Sequence, residues 1–306
     1  MNCCKAFFTM LCLIYQLHII LGVIFMTTSK TKIGLIIFGG NHPYFSPLKE
    51  TMMECFKKNN IHLILRESTF SPSKQLEIIN ELIEKEKVCG LILSVANDEK
   101  IIQRINEIVD SGVPVITLHT DLPTSKRISY IGCDPYQSGQ IAGGMMGLLT
   151  KGKAEVAIIT GNKCIYAHNE RIRGFEDKIK AEYPDIIINA ISECYDDDYK
   201  CYEQVQKVMI DHPTINAFFF AAGGIYGGCK SIYQLTTRMS FSVITFGDVD
   251  AVKEFMKKDV IDASLLDDIA AQGEKALYVM KELLNAKTPV DEFYHFTNCL
   301  KIKECL

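Results

Sequence analysis

From Ile33 onward short apolar runs alternate with amphipathic stretches, and partway along the chain the series begins again. That alternation narrows the choice of fold most, because it is the pattern of βα units feeding a parallel sheet covered by helices on both faces. Strands read at "KIGLIIF" (32–38), "IHLILRE" (61–67), "CGLILSV" (89–95) and "VPVITLH" (113–119). Between them, "LKETMMECFKKNN" puts Leu48, Met52, Cys55 and Phe56 on one stripe and "SKQLEIINELIEKEK" does so with Leu76, Ile79 and Ile83. A third stretch, "EKIIQRINEIVDSG", ends on Gly112 as a C-terminal cap.

The second series opens at "EVAIITGN" (155–162), which echoes "IGLIIFGGN" (33–41): an apolar strand runs into Gly-Asn and then a helix. "DIIINAI", "INAFFFAAGG", "FSVITFGD" and "IDASLL" follow, separated by helical stretches such as "NERIRGFEDKIKAEY" and "KCYEQVQKVMI". No long Pro/Ser linker divides the halves, so the expected fold is α/β, with two Rossmann-like lobes whose parallel sheets are joined by crossing strands.

In such sheets the ligand crevice lies beyond the carboxyl ends of the strands. The loops there are "GGNHPYF", "LHTD", "GNKCIYAHNE", "AAGGIYGG", "FGDVD" and "LLDD". Aromatic rings come from one lobe, and amide or carboxylate groups mostly from the other. Rings that cover C–H faces, opposite groups that bond hydroxyls, suit a sugar. His42 and Tyr44 are read as ligand contacts on this basis; the competing role for Tyr44 and Phe45 is to staple the first helix to its sheet, with Pro43 setting the turn.

Charge narrows the partners. Lys5, Lys30 and Lys32 are the charged residues of the first 32, so the rest carries all 37 acids against 30 bases. Nothing in that balance courts nucleic acid. Ala6–Met26, "AFFTMLCLIYQLHIILGVIFM", is long and apolar enough to cross a bilayer and reads as a membrane anchor or export signal, preceding the lobes as a hydrophobic helix. No A-x-A-like cleavage site follows it, and Met26 as the true start is the alternative, which would leave the protein cytoplasmic. Of twelve cysteines, nine lie beyond the leader with no C-x-x-C spacing, which argues against zinc and against a disulfide framework.

Rival chemistries lack their parts. "GLLTKGKA" (147–154) has Ala154 where a phosphate loop needs Ser or Thr, and it ends a helix where it should open one. Gly39-Gly40 lacks the later glycine of a dinucleotide fingerprint, and no nucleophile elbow occurs. The run Asp196–Asp198 lacks the alternation of a calcium loop and reads as a helix N-terminus, free to offer a carboxylate to a ligand. His168 is the one further histidine placed to line the cleft. No catalytic acid/base pair, cofactor or metal is expected.

Residues 29–306 resemble the type I periplasmic binding proteins: the sugar-binding proteins and the effector-binding core of LacI-type transcription regulators. "SKTKIGLII" is similar to the start of the regulator core, "NHPYF" to the N-x-P-F-F loop, and "NERIRGF" to the R-x-x-G-F element. "YIGCDPYQSGQIAGGMMGLL", "VITFGD" and "LLDDIAAQGEKAL" match further segments in order. The resemblance implies ligand contacts from His42, Tyr44 and Phe45. His119 stands at a usual Asp, Asn169 at a frequent ligand-gripping Arg, and Arg171 at a structural Arg. Asp197 falls near a position often aromatic, Asp248 matches the Asp after its strand, Asp267 replaces Gln, and Gly223-Gly224 replaces Asn-Asp. Losing a cationic fork at 169 while gaining carboxylates disfavours an anionic ligand.

It also implies lobes of 29–132 plus 268–297 and of 133–267 plus 298–306, after a signal or anchor at 1–28. The expected function is non-enzymatic: a transport or sensing receptor at the cell envelope that closes on a monosaccharide and meets an ABC transporter or membrane sensor. The alternative is a LacI-type core lacking its DNA-binding headpiece, for which a homodimer is the usual assembly; the leader has neither the helix-turn-helix pattern nor the basic surface for DNA.

Overall fold

The computed structural model describes residues 31–39, 43–235, 241–285 and 289–306. His42 and the apolar segment 6–26 lie outside them; among the described residues no helix is long and apolar enough to cross a membrane.

Two six-stranded sheets form the frame. The first is ordered β11-β5-β4-β3-β1-β2, built from β1 (Lys32–Phe38), β2 (His62–Ser68), β3 (Gly90–Leu93), β4 (Val115–Leu118), β5 (Ser129–Cys133) and β11 (Phe293–Phe296). The second is ordered β12-β10-β9-β8-β6-β7. Its strands are β6 (Lys153–Thr160), β7 (Asp185–Glu193), β8 (Ala217–Phe220), β9 (Ser242–Phe246), β10 (Ala263–Leu266) and β12 (Cys299–Lys301). All pairings are parallel except β10 with β12. The chain changes sheet after β5, after β10, and between β11 and β12. Cys133, placed by sequence at the start of the second lobe, is the last residue of β5 and pairs with Phe296 in the first sheet.

Nine helices cover these sheets among the described residues: α1 (Ser46–Lys58), α2 (Pro72–Glu84), α3 (Glu99–Asp110), α4 (Pro135–Leu149), α5 (Tyr166–Glu182), α6 (Asp198–Asp211), α7 (Ile225–Leu235), α8 (Asp250–Lys257) and α9 (Ile269–Asn285). The α1 stripe buries Leu48, Met52 and Phe56. On α2 the buried face is Gln75, Ile79 and Leu82, one position away from the expected Leu76 and Ile83. Gln75 is tolerated there because its amide is used up: it donates to Ser68 Oγ and the Thr69 carbonyl and accepts from the Ala96 N–H.

Strand alternation builds the second core. Phe218 and Phe220 point to one face of β8 and join a cluster with Val243 and Phe255; Phe219 points to the other and stacks on Phe175. The nine cysteines beyond the leader are all free thiols.

Topology fixes where a ligand can sit. In the first sheet β1 lies between β2 and β3, and in the second β6 lies between β7 and β8. At those points connections leave to opposite sides and a crevice opens. The strand-end loops of the two sheets meet there: the Asn97 N–H donates to the Cys164 carbonyl at 2.7 Å and the Ala167 N–H to Thr120 Oγ1 at 3.2 Å.

Candidate functional site

A cavity of about 470 Å³ occupies that crevice, with walls from both sheets. The first wall comes from the ends of β1 and β4. After β1 a short 3-10 turn, Pro43–Phe45, delivers Tyr44 and Phe45. Phe45 is 7% exposed and meets the Tyr44 and His119 rings edge-on, at 5.1 and 5.3 Å between centroids. It therefore packs and lines the cavity at once, so the two readings of this loop do not exclude each other.

His119, just past β4, holds a left-handed backbone (φ +67°), uncommon for a residue with a Cβ. The following loop makes this tenable. Buried Asp121 grips Arg127 through two bonds of 2.7 Å and also accepts from the Thr117 hydroxyl and the Leu122 N–H. That clamp fixes the chain on both sides of the imidazole.

The two lobes are stitched by a polar triad. Tyr44 donates its hydroxyl to Asp267 Oδ1 at 2.7 Å and lies 3.4 Å from His119 Nδ1, while Asp267 Oδ2 is 3.7 Å from the same nitrogen. Asp267 follows β10 and its side chain is 3% exposed. Burial raises the Tyr44 phenol well above its ordinary value, and the Asp267 charge adds to the effect. Burial pushes His119 down to about 4 against the opposing pull of Asp267, so the ring is neutral at pH 7.

The second wall comes from the ends of β6, β7, β8 and β9. On α5, His168, Arg171 and Phe175 recur at helical spacing and are buried. Arg171 is 6% exposed, donates NH1 to the Ala221 carbonyl at 3.1 Å and lies over the Phe246 ring at 4.2 Å. Its Nε is buried without a partner, and it makes no ion pair among the described residues. Burial likewise takes His168 down to about 4, against the nearby Asp196.

The acidic run is engaged in holding loops. Asp196 Oδ1 accepts from the Gly223 N–H, Asp197 Oδ1 caps α6 through the Lys200 N–H, and Asp198 Oδ1 accepts from the Gly227 N–H. All three, and Gly223, line the cavity.

Of the residues singled out by sequence, Tyr44, Phe45, His119, His168, Asp197 and Gly223 line this cavity. Asn169 does not: it is exposed and donates to the Lys163 carbonyl, because it sits on the flank of α5 next to the buried face. Arg171, matched by sequence to a structural Arg, lines the cavity instead, so the cleft keeps a guanidinium. Asp248 also stays outside, with its side chain 43% exposed and paired with Lys301 at 2.7 Å. It borders an adjoining cavity of about 310 Å³ shared with Tyr44 and Asp267. The residue that meets the first wall at this point is Gly247, whose φ of +90° and contact with Tyr44 leave little room for a side chain.

The family profile described as "Periplasmic binding protein domain" matches residues 33–288. The chain belongs to that family. It is 26% identical over 269 residues to the ribose import binding protein of Escherichia coli K12, covering 86% of this chain and 90% of that protein. The structure of GanP, a glucose-galactose binding protein from Geobacillus stearothermophilus, superposes with a TM-score of 0.84 at 28% identity, covering 91% and 99% of the two chains. XylFII shares the fold at a TM-score of 0.82 and 23% identity, covering 90% and 99%. Catabolite control protein A of Staphylococcus epidermidis is 26% identical over only 59% of this chain and 54% of its own.

Proposed function

We propose that this protein is a non-enzymatic receptor for a small solute built on a sugar ring, which it holds between its lobes and presents to a membrane transporter or sensor. The observation that carries the reading is the two-walled cleft: rings from the loop after β1 face a guanidinium and carboxylates from the second sheet. Rings stack on sugar C–H faces while the charged groups bond hydroxyls. The family and the sugar-binding relatives support the same reading, and they favour it over a regulator core, whose match spans a smaller share of the chain. We place the protein on the outer side of the cell membrane, exported or tethered through residues 6–26.

Binding shifts the lobes toward closure by its differential affinity for the closed state. A thermal-shift screen of pentoses, hexoses and their derivatives tests the proposal. A true ligand at a hundred times its dissociation constant raises the melting temperature by on the order of 5 °C, and Arg171→Lys abolishes the rise. If no sugar, free or substituted, moves the transition, the reading fails.

A further inference from the structure

The cleft changes character along its depth. At the buried end stand His119, His168 and Arg171, with Phe45 and Phe246 beside them. At the mouth stand two exposed tyrosines, Tyr199 at 70% and Tyr226 at 41%, the latter with the Lys230 ammonium over its ring at 5.7 Å, and half-buried Phe70 from the opposite wall. The two tyrosine rings are held in place: the Tyr199 hydroxyl bonds Glu203 one turn along α6, and the Tyr226 ring packs on Phe255 at 5.7 Å.

Basic groups stand at the deep end and the exposed carboxylates of Asp197 and Asp198 stand beside Tyr199, and much of this polar capacity is already committed. Tyr44 is bonded to Asp267, and one oxygen of each of Asp196, Asp197 and Asp198 accepts from a backbone N–H. Arg171 Nε is buried without a partner among the described residues, so a solute at the deep end meets the guanidinium through its other nitrogens. A free sugar carries hydroxyls around its whole edge, and each one buried without a partner costs free energy. The space exceeds what one sugar ring occupies: about 470 Å³ falls among sites for drug-sized ligands, which span roughly 300–1,000 Å³.

From this gradient, and building on the receptor reading above, we infer that the solute is a sugar joined to a flat apolar ring, as in an aryl glycoside or a nucleoside. The sugar lies against Arg171 and the two histidines. The attached ring lies at the mouth, against Tyr199 and Tyr226 with Phe70 across from them. Offset or edge-on contacts between rings favour such a ligand over its parent sugar.

Isothermal titration of the full chain with D-ribose, D-glucose, adenosine, uridine and p-nitrophenyl β-D-glucopyranoside tests the inference. At least one ring-bearing compound is expected to bind about tenfold or more tightly than its parent sugar, an advantage of about 1.4 kcal/mol. The double variant Tyr199→Ser/Tyr226→Ser is expected to lose that advantage while still unfolding cooperatively. Parent sugars that bind as tightly as the conjugates, or an advantage that survives in the double variant, would overturn the inference and leave the sugar receptor standing. Binding of neither class would remove both.

Discussion

The loops after β1 and β6 occupy the same place in their sheets, each at the strand where the winding reverses, yet they do opposite chemistry. The first brings the Tyr44 and Phe45 rings; the second leads into a helix that brings His168 and Arg171. They also differ in how their polar atoms are held. Tyr44 reaches across to Asp267 at the end of β10, whereas Arg171 is held within its own lobe by the Ala221 carbonyl and the face of Phe246. A βα unit sets the address of a loop, and what the loop says there is decided by a few side chains whose direction the following helix controls.

The largest expected effect tests that control. The second wall depends on α5 lying close against α4, and two glycines permit it. A Cβ on Gly139 would overlap the Arg171 carbonyl oxygen, and one on Gly174 would overlap the Tyr136 carbonyl oxygen. Since backbone cannot swing aside as a side chain can, Gly139→Ala or Gly174→Ala should each cost about 3 kcal/mol or more in urea unfolding. Any folded remnant should bind sugar poorly, because α5 carries Arg171 with it. If both variants are as stable as the parent, the two helices are not held as described.

Acid tests both walls at once. His119 belongs to the first and His168 to the second, and each titrates near 4 when folded against about 6.5 unfolded. Between those values the unfolded chain binds protons that the folded chain refuses, so stability falls as pH drops through 6.5 and the loss is complete near 4. From pH 7.5 to 5 each histidine should account for about 2 kcal/mol. Replacing either one with Gln should roughly halve the slope of stability against pH over that interval. An unchanged slope would mean that the ring in question is hydrated.

Much of this was readable in the sequence. The run "KIGLIIF" coincides with β1, and the loops that face the cleft were identifiable by their place after strands. Strands β11 and β12 carry no such signal, because "FYHF" and "CLK" are short edge strands with exposed or half-buried side chains and no apolar run. The choice between Asn169 and Arg171 was also legible, since residues 168, 171 and 175 follow the helical period of the buried face and 169 does not. Nothing local distinguishes Gly247 from Asp248 as the residue facing Tyr44; that depends on how two sheets meet. The rim tyrosines are silent for the same reason: α7 also exposes Tyr233, which does not line the cavity, and only the partner wall shows which rings line a mouth.

Tyr44→Phe comes next in size. It removes the hydroxyl that Asp267 accepts from and leaves a buried carboxylate oxygen short of a donor, at a cost of about 1–3 kcal/mol. The ring remains, so stacking on a sugar should persist while the stitch between lobes is lost, and small-angle scattering of the free protein should show a more open shape. The matched change in the other loop is Asn169→Ala, one side chain away from Arg171. Among the described residues its amide serves only the Lys163 carbonyl at the exposed surface, so stability should move by no more than about 0.5 kcal/mol and sugar affinity should not move. The pair separates two accounts of the second loop. If position 169 is the gripping position, its truncation should weaken binding at least as much as loss of the Tyr44 hydroxyl does. If the helical period rules, the sensitivity belongs to position 171, and 169 will be silent although it is the position that the family motif marks.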